Sequence, residues 1–542
     1  MTTHQKRPVV LIIRDGWGNN PYPEFNNANA VHLAKTPVDD WLRQNYPHIQ
    51  IHTSGEDVGL PAGVIGNSEV GHQNIGAGRI VNQELLRIST MIHSGEFAQN
   101  EVLLGTIAHV KKHGTHLHLM GLASDAGVHS SLGHLYGLLT LAKTNGLESN
   151  QVLVHNFSDG RDCQPDLGIQ FCEQIEAKLK EIGIGQIASV VGRYYAMDRD
   201  DRWDRVEVAY RLLTEGTGDR VNAATDAYRD YYGNPDDTNR TGDEFVRPSV
   251  VIGANGEPLP RITDGDAVIF YNFRGDRPRE LTKAFCLNEF PFEAEGKDGV
   301  MRQMGFKRNC KPDVKFVTMT EYEQGMPVEA AVKKPPKMQN TLGAYVSQAG
   351  LTQFRCAETE KFPHVTFFFN DYRDEPYTGE DRQIIASPRD VTTYDQKPEM
   401  SAPGVTAEML RRIGSDKYDL IVLNYANGDM VGHTGSLPAA IKAVEAVDAG
   451  VGRIVDAVLK KDGALIVTAD HGNCEQMVDP ETGGIHTAHT TYDVDLIVAD
   501  NQRRGQQLRE GGRLADIAPT ALHLLGLEQP AEMTGESLIL EK

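Results

Sequence analysis

Carboxylate and imidazole side chains recur in this chain at the ends of predicted buried strands. Asp15 closely follows the apolar run Val9–Ile13, and Asp470 and His471 follow the run Ala464–Ala469. Ligands of α/β proteins bind at the carboxyl ends of such strands, so these positions suit a binding site. Each position alone is more typical of an ordinary turn residue, and only the recurrence points to a shared site.

Two further pairs have the same character. Asp429 and His433 stand four residues apart, just after the run Tyr418–Asn424. In a helical turn that spacing places both side chains on one side, as a shared metal ion requires. His486 and His489 precede another apolar run, and the sequence leaves open which of the two is a ligand and which is structural.

The combined donor set contains carboxylate and imidazole groups but no cysteine thiolate. Such a set suits Mn²⁺ or Zn²⁺ and suits Mg²⁺ less well. It is large enough to hold two ions, which together clamp a phosphoryl group during its transfer.

A serine between glycines is the candidate nucleophile. Ser68 stands in the heptapeptide Gly66–His72, at a predicted helix start after Asn67. A helix N-terminus favours an anion, and a serine hydroxyl needs a metal or a base before it attacks phosphorus. The heptapeptide alone is more typical of an N-cap serine, but the predicted metal ions supply the activation that a nucleophile needs.

The middle of the chain carries a second chemistry, that of arginine. Guanidinium groups bind phosphate and carboxylate in a bidentate manner, and a three-carbon acid phosphate carries both groups. The alternative is that these arginines pair with neighbouring aspartates, which the acidic run Asp198–Asp204 favours for Arg202 and Arg205. The remaining arginines of the set are Arg161, Arg193, Arg199, Arg274 and Arg277.

Three motifs resemble those of one enzyme family. They are Asp15–Gly18, Gly66–His72 and Thr468–Asn473. Through them the chain resembles the cofactor-independent (2,3-bisphosphoglycerate-independent) phosphoglycerate mutases of the alkaline phosphatase superfamily, from residue 9 to about residue 538. The resemblance implies interconversion of 3-phosphoglycerate and 2-phosphoglycerate, in glycolysis and gluconeogenesis, without 2,3-bisphosphoglycerate.

The resemblance also implies two divalent ions and a phosphoserine intermediate on Ser68. It leaves His486 outside the direct ligands. Mn²⁺ is the expected ion, with Mg²⁺, Co²⁺ and Zn²⁺ as alternatives. One ion is implied to be held by Asp15, Ser68, Asp470 and His471, and the other by Asp429, His433 and His489.

Substrate contacts follow from the same resemblance. Asp162 is implied as general base and acid for the substrate hydroxyls, and Lys361 as a contact of the phosphoryl group. Arg14 stands where an apolar residue is more usual and Cys163 where threonine is more usual, and the effect of Arg14 on metal preference is left open. The implied substrate-binding residues are His129, Arg161, Asp162, Arg193, Arg199, Arg274, Arg277 and Lys361.

The net charge of the chain limits the kinds of molecule that it is expected to bind. The chain has 542 residues, with 54 Lys and Arg against 75 Asp and Glu, and a formal charge of −21. So acidic a surface disfavours binding to nucleic acid or to an anionic membrane. A local cluster of arginines can still bind an anionic substrate. The composition is compatible with the small-molecule partner that the resemblance implies, 3-phosphoglycerate or 2-phosphoglycerate.

The predicted compartment is the cytoplasm. None of the 6 cysteines forms a CxxC pair, which is typical of a reducing compartment. The N-terminal apolar run, Val9–Ile13, is too short for a signal segment or a membrane span. The family suggests a monomer.

The elements that must position these residues alternate along the chain. Apolar runs bounded by Gly, Asp or Asn alternate with amphipathic segments, which predicts α/β layers with largely parallel sheets. A helix is predicted after Ser436, which suits an N-cap. The predicted strands are Val9–Ile13, Leu117–Leu122, Val152–Phe157, Ala267–Phe273, Val365–Phe369, Tyr418–Asn424, Ala464–Ala469 and Val494–Val498.

The resemblance implies two α/β domains. A discontinuous, alkaline-phosphatase-like metal domain is expected at 1–84 and 330–542, and an inserted substrate-binding phosphotransferase domain at 85–329. Asp226–Asp266 is predicted as a polar insert, and Glu321–Met338 as an interdomain linker, because both are rich in turn-forming residues. Closure of the two domains over the substrate is expected, since water would hydrolyse the phosphoserine.

Two alternative functions remain at this point. One is another metal enzyme of the same superfamily, either a phosphohydrolase or a mutase of a different phosphorylated sugar. The other is a non-catalytic protein that senses phosphoglycerate, which loss of Ser68 or of a metal ligand would have favoured. The arginine motifs argue against the first alternative, and the complete ligand set argues against the second.

Overall fold

The computed structural model of the chain describes residues 7–296 and 299–540. Residues 1–6, on which part of the signal-segment prediction rests, lie outside the described residues. The chain divides into two compact units: unit 1 comprises the chain up to Gln83 together with the chain from Pro336, and unit 2 is Glu84–Pro335. The sequence placed the boundaries after residues 84 and 329, and the role of each unit stays a prediction.

The first part of unit 1 contains the strand after which Asp15 stands. Its residues Val9–Arg14 are apolar and mostly β-branched apart from the last, and all are buried, as a central strand requires. The elements are β1 (Val9–Arg14), α1 (Ala30–Leu33), α2 (Pro37–Asn45), β2 (His48–His52) and α3 (Ser68–Ala77).

Unit 2 is built on a sheet with helices on both faces. Its strands are β3 (Leu117–Ala123), β4 (Val152–Ser158), β5 (Gln186–Gly192), β6 (Asp219–Val221), β7 (Ser249–Val251), β8 (Ala267–Phe270), β9 (Phe292–Glu295), β10 (Met301–Met304), β11 (Lys315–Thr320) and β12 (Glu329–Val332). Its helices are α4 (Glu84–Ser94), α5 (Glu101–His113), α6 (Leu132–Thr144), α7 (Gly168–Ile182), α8 (Arg193–Ala196), α9 (Trp203–Glu215), α10 (Ala224–Gly233) and α11 (Arg279–Cys286).

The sheet of unit 2 has eight strands in the order β12-β11-β8-β3-β4-β5-β7-β6. The central strands β8, β3, β4 and β5 are parallel, so their carboxyl ends share one edge. Two separate hydrophobic clusters cover the two faces of the sheet. Strands β9 and β10 form a separate antiparallel pair.

The second part of unit 1 completes its sheet. The strands are β13 (Gln353–Glu358), β14 (Glu380–Ile385), β15 (Leu420–Tyr425), β16 (Ala464–Thr468), β17 (Val494–Asp500) and β18 (Gly512–Arg513). The helices are α12 (Leu342–Gln348), α13 (Ala402–Gly414), α14 (Asn427–Gly432), α15 (Leu437–Leu459) and α16 (Ile517–Leu525).

The unit 1 sheet has the order β14-β13-β15-β1-β16-β17-β2-β18. Strand β1 lies between β15 and β16 and is parallel to both. The carboxyl ends of these three strands therefore meet at one edge of the sheet, where the residues following each strand come together.

The predicted α/β class is confirmed, and so are seven of the eight predicted strands, with ends shifted by up to three residues. The strand predicted at Val365–Phe369 is wrong, because His364–Phe368 forms a turn of π-helix. A short apolar run is equally compatible with a buried strand and a buried helical turn. Strand β12 lies inside the predicted linker Glu321–Met338, so that segment is not simply a connector.

The helix predicted after Ser436 is confirmed as α15, although the Ser436 side chain makes no capping hydrogen bond. The predicted insert Asp226–Asp266 contains most of α10 and all of β7. Within residues 7–296 and 299–540, no helix is both long and apolar enough to cross a membrane.

Candidate metal centre and arginine cluster

Three buried aspartates meet at the carboxyl edge of the unit 1 sheet. Asp15 follows β1, Asp429 lies in α14 just after β15, and Asp470 follows β16. Gly16 has a φ of 72°, and a Cβ there would lie 2.5 Å from the backbone nitrogen of Asp429. Glycine is therefore needed for the turn after β1 to approach α14 this closely.

One lysine lies among these carboxylates. Lys361 follows β13, is 4% exposed, and places Nζ 2.8 Å from Asp15 Oδ1 and 2.7 Å from Asp429 Oδ2. Burial alone would lower the pKa of Lys361, but Asp15 and Asp429 raise it, so the side chain is an ammonium ion. Together with Asp470, the three carboxylates outnumber the single ammonium group, and the buried cluster is rich in negative charge.

Three histidines surround the same cluster. His433 Nε2 and His489 Nε2 lie 3.1 Å and 3.0 Å from Asp429 Oδ1, in separate contacts. The Asp429 carboxylate raises the pKa of His433, and for His489 it outweighs the lowering effect of burial. Burial lowers the pKa of His471, which lies fully inside the cluster.

Ser68 stands at the first position of α3, as the sequence predicts. Asn67 caps the helix, since its side chain accepts a hydrogen bond from the backbone of Val70 at 3.0 Å. The Ser68 hydroxyl lies 2.9 Å from His471 Nε2 and accepts a hydrogen bond from Lys361 Nζ at 2.5 Å. The nucleophile candidate thus lies within the cluster of charged groups.

The structure brings the seven predicted metal-binding residues together with Lys361 in one cluster. His486 has a different partner, since its Nδ1 lies 3.1 Å from the backbone oxygen of Gln476. The seven are Asp15, Ser68, Asp429, His433, Asp470, His471 and His489.

The donor set fits divalent cations. Ligand atoms of Asp15, Asp470 and His471 lie within 4.8 Å of one another, as do those of Asp429, His471 and His489. Asp470 is 0% exposed, and among the described residues no group hydrogen-bonds to its Oδ1. A buried carboxylate oxygen of this kind needs a positive partner, which a metal ion provides.

Two supporting residues of this centre were missed by the sequence analysis. Asn424, at the end of β15, donates a hydrogen bond to Asp15 Oδ2 at 2.6 Å. Glu475 accepts hydrogen bonds from the backbone of Gly18 at 3.1 Å and of Asn473 at 2.8 Å. Asn473 itself lies in a motif that signalled the site, whereas Glu475 stands just beyond it with no spacing signal.

Arg14, the departure from the family pattern, has its own partners. Its guanidinium donates to Asp39 at 2.5 Å and lies 4.4 Å from the centre of the Trp17 ring. Asp39 belongs to α2. The arginine is therefore engaged in joining β1 to a helix.

Apart from Lys361, which lies in unit 1, the predicted substrate residues cluster at the carboxyl edge of the unit 2 sheet. Arg193, directly after β5, donates to Asp159 at 2.5 Å and to Asp162 at 2.6 Å. His129 Nε2 lies 3.6 Å from Asp162 Oδ2, and burial together with Arg193 lowers the pKa of His129 to about 4. The imidazole is therefore neutral at neutral pH.

Asp276 pairs with two further arginines of the predicted set. Arg199 and Arg274 contact Asp276 at 2.7 Å and 3.2 Å. Their side chains are 43% and 49% exposed, so both remain open to a ligand. Burial lowers the pKa of Arg277, and the positive charges of Arg193, Arg199 and Arg161 nearby lower it further. Positive charge is therefore concentrated around Arg277.

More arginines pair with aspartate than the sequence predicted. Pairing with aspartate was expected only for Arg202 and Arg205, and Arg205 does contact Asp198 at 3.1 Å. Arg199 and Arg274 also have an acidic partner. The sequence could not identify that partner, because Asp276 lies inside a loop and carries no periodic signal.

Comparison with known proteins decides the family. A model described as the metalloenzyme superfamily matches residues 7–529. A 2,3-bisphosphoglycerate-independent phosphoglycerate mutase of Rhodopirellula baltica is 59% identical, over 99% of this chain and 98% of its own. That of Chloroflexus aurantiacus is 52% identical over 99% of both chains. The chain belongs to this mutase family within the metalloenzyme superfamily.

A solved structure supports the assignment. The crystal structure described as Leishmania mexicana phosphoglycerate mutase at low cobalt concentration is 33% identical, with a TM-score of 0.69. The match covers 100% of this chain and 99% of that one. The resemblance drawn from the three sequence motifs is confirmed, and membership makes the chain an isomerase that depends on divalent metal.

Proposed function

We propose that the chain interconverts 3-phosphoglycerate and 2-phosphoglycerate through a phosphoserine on Ser68, without 2,3-bisphosphoglycerate. The observation that carries the proposal is the Ser68 hydroxyl at the head of α3, in contact with His471 and Lys361 among buried carboxylates. A helix N-terminus favours the phosphate group that this serine is to carry.

The proposed cofactors are two Mn²⁺ ions, with Mg²⁺, Co²⁺ and Zn²⁺ as alternatives. The residues proposed to hold them are Asp15, Ser68, Asp470 and His471 for one ion, and Asp429, His433 and His489 for the other. Bound there, divalent ions lower the pKa of the serine hydroxyl and stabilise negative charge on the transferring phosphoryl group.

The residues of the chain divide the chemistry between them. Ser68 reacts as its alkoxide, whose Oγ forms a bond to phosphorus as the bond from phosphorus to the C3 oxygen of the substrate breaks, and the second transfer releases the alkoxide again. Asp162 gives a proton to that oxygen and takes one from the C2 hydroxyl, whose oxygen then removes the phosphoryl group from Ser68. Lys361 donates to the phosphoryl oxygens during both transfers.

The arginine cluster is proposed to hold glycerate between the two transfers. Arg193 and His129 lie beside Asp162, while Arg199 and Arg274 are exposed enough to reach a carboxylate or phosphate. Arg161 and Arg277 complete the proposed set. Retention of glycerate is what makes the enzyme a mutase, since its loss to solvent would leave only hydrolysis.

The experiment is phosphorus NMR of 3-phosphoglycerate with Mn²⁺-loaded protein and no 2,3-bisphosphoglycerate, beside a chelated sample. A 2-phosphoglycerate signal that disappears on chelation is expected. Inorganic phosphate alone would favour the phosphohydrolase alternative, and binding without turnover at full metal occupancy would favour the sensor. Ser68→Ala is the matched control: folded, metal-replete protein that still turns over would remove the phosphoserine from the mechanism.

A cytoplasmic location and a monomeric state are proposed with this function. The absence of CxxC pairs among the cysteines supports the first, and family analogy supports the second. Fractionation of cells and light scattering of the purified protein test them.

A further inference from the structure

We propose that unit 2 carries a binding site of its own for a divalent transition-metal ion, formed by His116, His118 and Asp266. Their ligand atoms all lie within 4.8 Å of one another. The ion would have two imidazole ligands and one carboxylate, a donor set that suits zinc and related ions. The proposal is independent of the mutase function.

The fold brings the three residues together. His116 directly precedes β3, His118 lies within it, and side chains two apart along a strand share a face. Asp266 directly precedes β8, which pairs in parallel with β3 so that Leu117 stands beside Ala267. Two neighbouring strands thus place all three side chains at the amino ends of β3 and β8.

Each imidazole lies close to one oxygen of the Asp266 carboxylate. His116 Nδ1 lies 3.3 Å from Asp266 Oδ1, and His118 Nε2 lies 3.3 Å from Asp266 Oδ2. Tetrahedral zinc with bonds of roughly 2.1 Å separates neighbouring ligands by about 3.4 Å. A direct N–H···O hydrogen bond is usually shorter, about 2.9 to 3.0 Å.

Groups behind the site can set the imidazole in the form that binds metal. His118 Nδ1 lies 2.9 Å from His155 Nε2, and His155 Nδ1 lies 2.7 Å from Ser189 Oγ. If His118 donates to His155 and His155 donates to Ser189, His118 Nε2 keeps its lone pair for the ion. Outer hydrogen bonds of this kind orient metal-binding histidines.

The carboxylate is also held in place. Asp266 Oδ1 accepts from the backbone of His116 at 2.8 Å, and Oδ2 accepts from the backbone and hydroxyl of Thr263 at 2.8 Å and 2.9 Å. Outer hydrogen bonds of this kind hold a ligating carboxylate in place.

Access to the site is through His116. Its side chain is 34% exposed, whereas that of Asp266 is 1% exposed. Of the three donors, His116 is therefore the one that solvent reaches, and an ion would enter on its side.

The test counts bound Zn²⁺ by equilibrium dialysis of the full-length chain at micromolar free zinc. We expect His116→Ala to bind one ion fewer per chain than the wild-type protein. The matched control is His93→Ala, an exposed histidine of α4 whose Nδ1 lies 2.7 Å from the backbone oxygen of Ser89, which should bind the wild-type number. Equal stoichiometry and affinity in His116→Ala and wild type would overturn the proposal.

A second measurement guards against a folding defect. Turnover of His116→Ala with Mn²⁺ should stay within about twofold of the wild-type rate, because His116 is not among the proposed catalytic residues. Added Zn²⁺ should raise the melting temperature of the wild-type protein by more than that of the variant. Equal zinc-induced shifts would contradict the site, as would zinc binding that appears only at millimolar concentration.

Discussion

The carboxylate of Glu475 ties together three loops that carry proposed metal ligands. It is 0% exposed and accepts hydrogen bonds from the backbone of Gly18 and Asn473 and from the hydroxyl of Thr490. Those donors stand close in sequence to Asp15, His471 and His489. One buried side chain, without being a ligand itself, therefore sets the relative positions of ligands from three parts of the chain.

Replacing Glu475 by glutamine tests this arrangement. The amide keeps the size of the side chain but has one acceptor oxygen and no charge, so the Thr490 hydroxyl has to turn and accept from the amide NH2, and all three hydrogen bonds lose their charge assistance. We expect Mn²⁺ affinity to fall by on the order of tenfold while the melting temperature of the metal-free protein changes little. Titration calorimetry measures the affinity, with the exposed Glu481→Gln as control, and unchanged affinity in Glu475→Gln would contradict the role.

The buried carboxyl group of Glu358 makes the stability of the fold depend on pH. It is 0% exposed and accepts from the Ser387 hydroxyl at 2.9 Å, and burial raises its pKa to about 7. Because the folded-state pKa is raised above the ordinary value of 4.5, the folded form holds a proton that the unfolded form has lost between pH 4.5 and 7. Stability therefore falls as pH rises through that window and stays lower above it.

Glu358→Gln should remove this loss, since the amide imitates the protonated acid. Relative to the wild-type protein, the variant should gain up to about 3 kcal/mol between pH 4.5 and pH 8. Melting temperatures at both pH values check the sign, with exposed Glu399→Gln as control. A difference between variant and wild type that is the same at both pH values would refute the argument.

The sequence could predict residues of the centre that recur at strand ends, such as Asp15 and Asp470. It could not predict Glu358 or Glu475, because a single buried glutamate in an otherwise ordinary segment has no period and no spacing. Lys361 was proposed only through the family resemblance. The residues around Lys361 in the sequence could not reveal its role, because its partners Asp15 and Asp429 are distant in sequence and no local pattern indicates that it is buried.

At the level of elements, helix α2 is joined to the sheet of unit 1 through Asp39. This aspartate pairs with Arg14 of β1 at 2.5 Å and with Arg43 at 2.8 Å, and is 4% exposed. The backbone nitrogens of Val38 and Asp39 donate to Asp448 of α15 at 3.1 Å and 2.9 Å. The N-terminus of α2 thus connects to both the central strand and the long helix.

Asp39→Ala should destabilise unit 1 strongly, because it leaves the buried guanidinium of Arg14 without its carboxylate. A cost of about 3 to 5 kcal/mol is typical for removing one partner of a buried ion pair. Asp40→Ala, on the exposed side of the same helical turn, should cost less than about 0.5 kcal/mol. Denaturant unfolding of both variants measures the difference, and similar midpoints would contradict it.

Strand prediction succeeded where apolar runs were bounded by turn residues, as in β1 and β16. It missed β13, whose buried residues include Arg355 and Glu358, because a polar strand gives no apolar run. It failed at Val365–Phe369, where burial in a helical turn gives the same composition as burial in a strand. The period of apolar residues distinguishes a helix from a strand only when one face of the segment is buried. A fully buried segment is apolar throughout and has no such period.

At the scale of the whole molecule, the chain leaves unit 1 after Gln83 and returns at Pro336. Within unit 1 the two parts meet near this point, since Arg79 donates to the backbone oxygen of Gln339 at 2.8 Å. Each unit has its own hydrophobic clusters. We therefore expect residues 84–335 to be removable without loss of the unit 1 core.

A variant in which a flexible linker of about ten residues replaces residues 84–335 tests this independence. Such a linker spans up to about 33 Å, enough to join the two ends near Arg79 and Gln339. Because the proposed metal ligands, Ser68 and Lys361 all lie in unit 1, the shortened chain should fold and hydrolyse a simple phosphate monoester in a Mn²⁺-dependent manner. It should not convert 3-phosphoglycerate to 2-phosphoglycerate, because His129, Asp162 and the arginines are gone.

The same variant carrying Ser68→Ala is the control, and it should release no phosphate. Cooperative unfolding of the shortened chain, followed by circular dichroism, shows whether unit 1 folds by itself. Mutase activity in the shortened chain would mean that glycerate is retained without the arginine cluster, which would remove the proposed role of unit 2. Folded protein with no hydrolysis at full metal occupancy would mean that the serine centre needs residues of unit 2 to transfer phosphate at all.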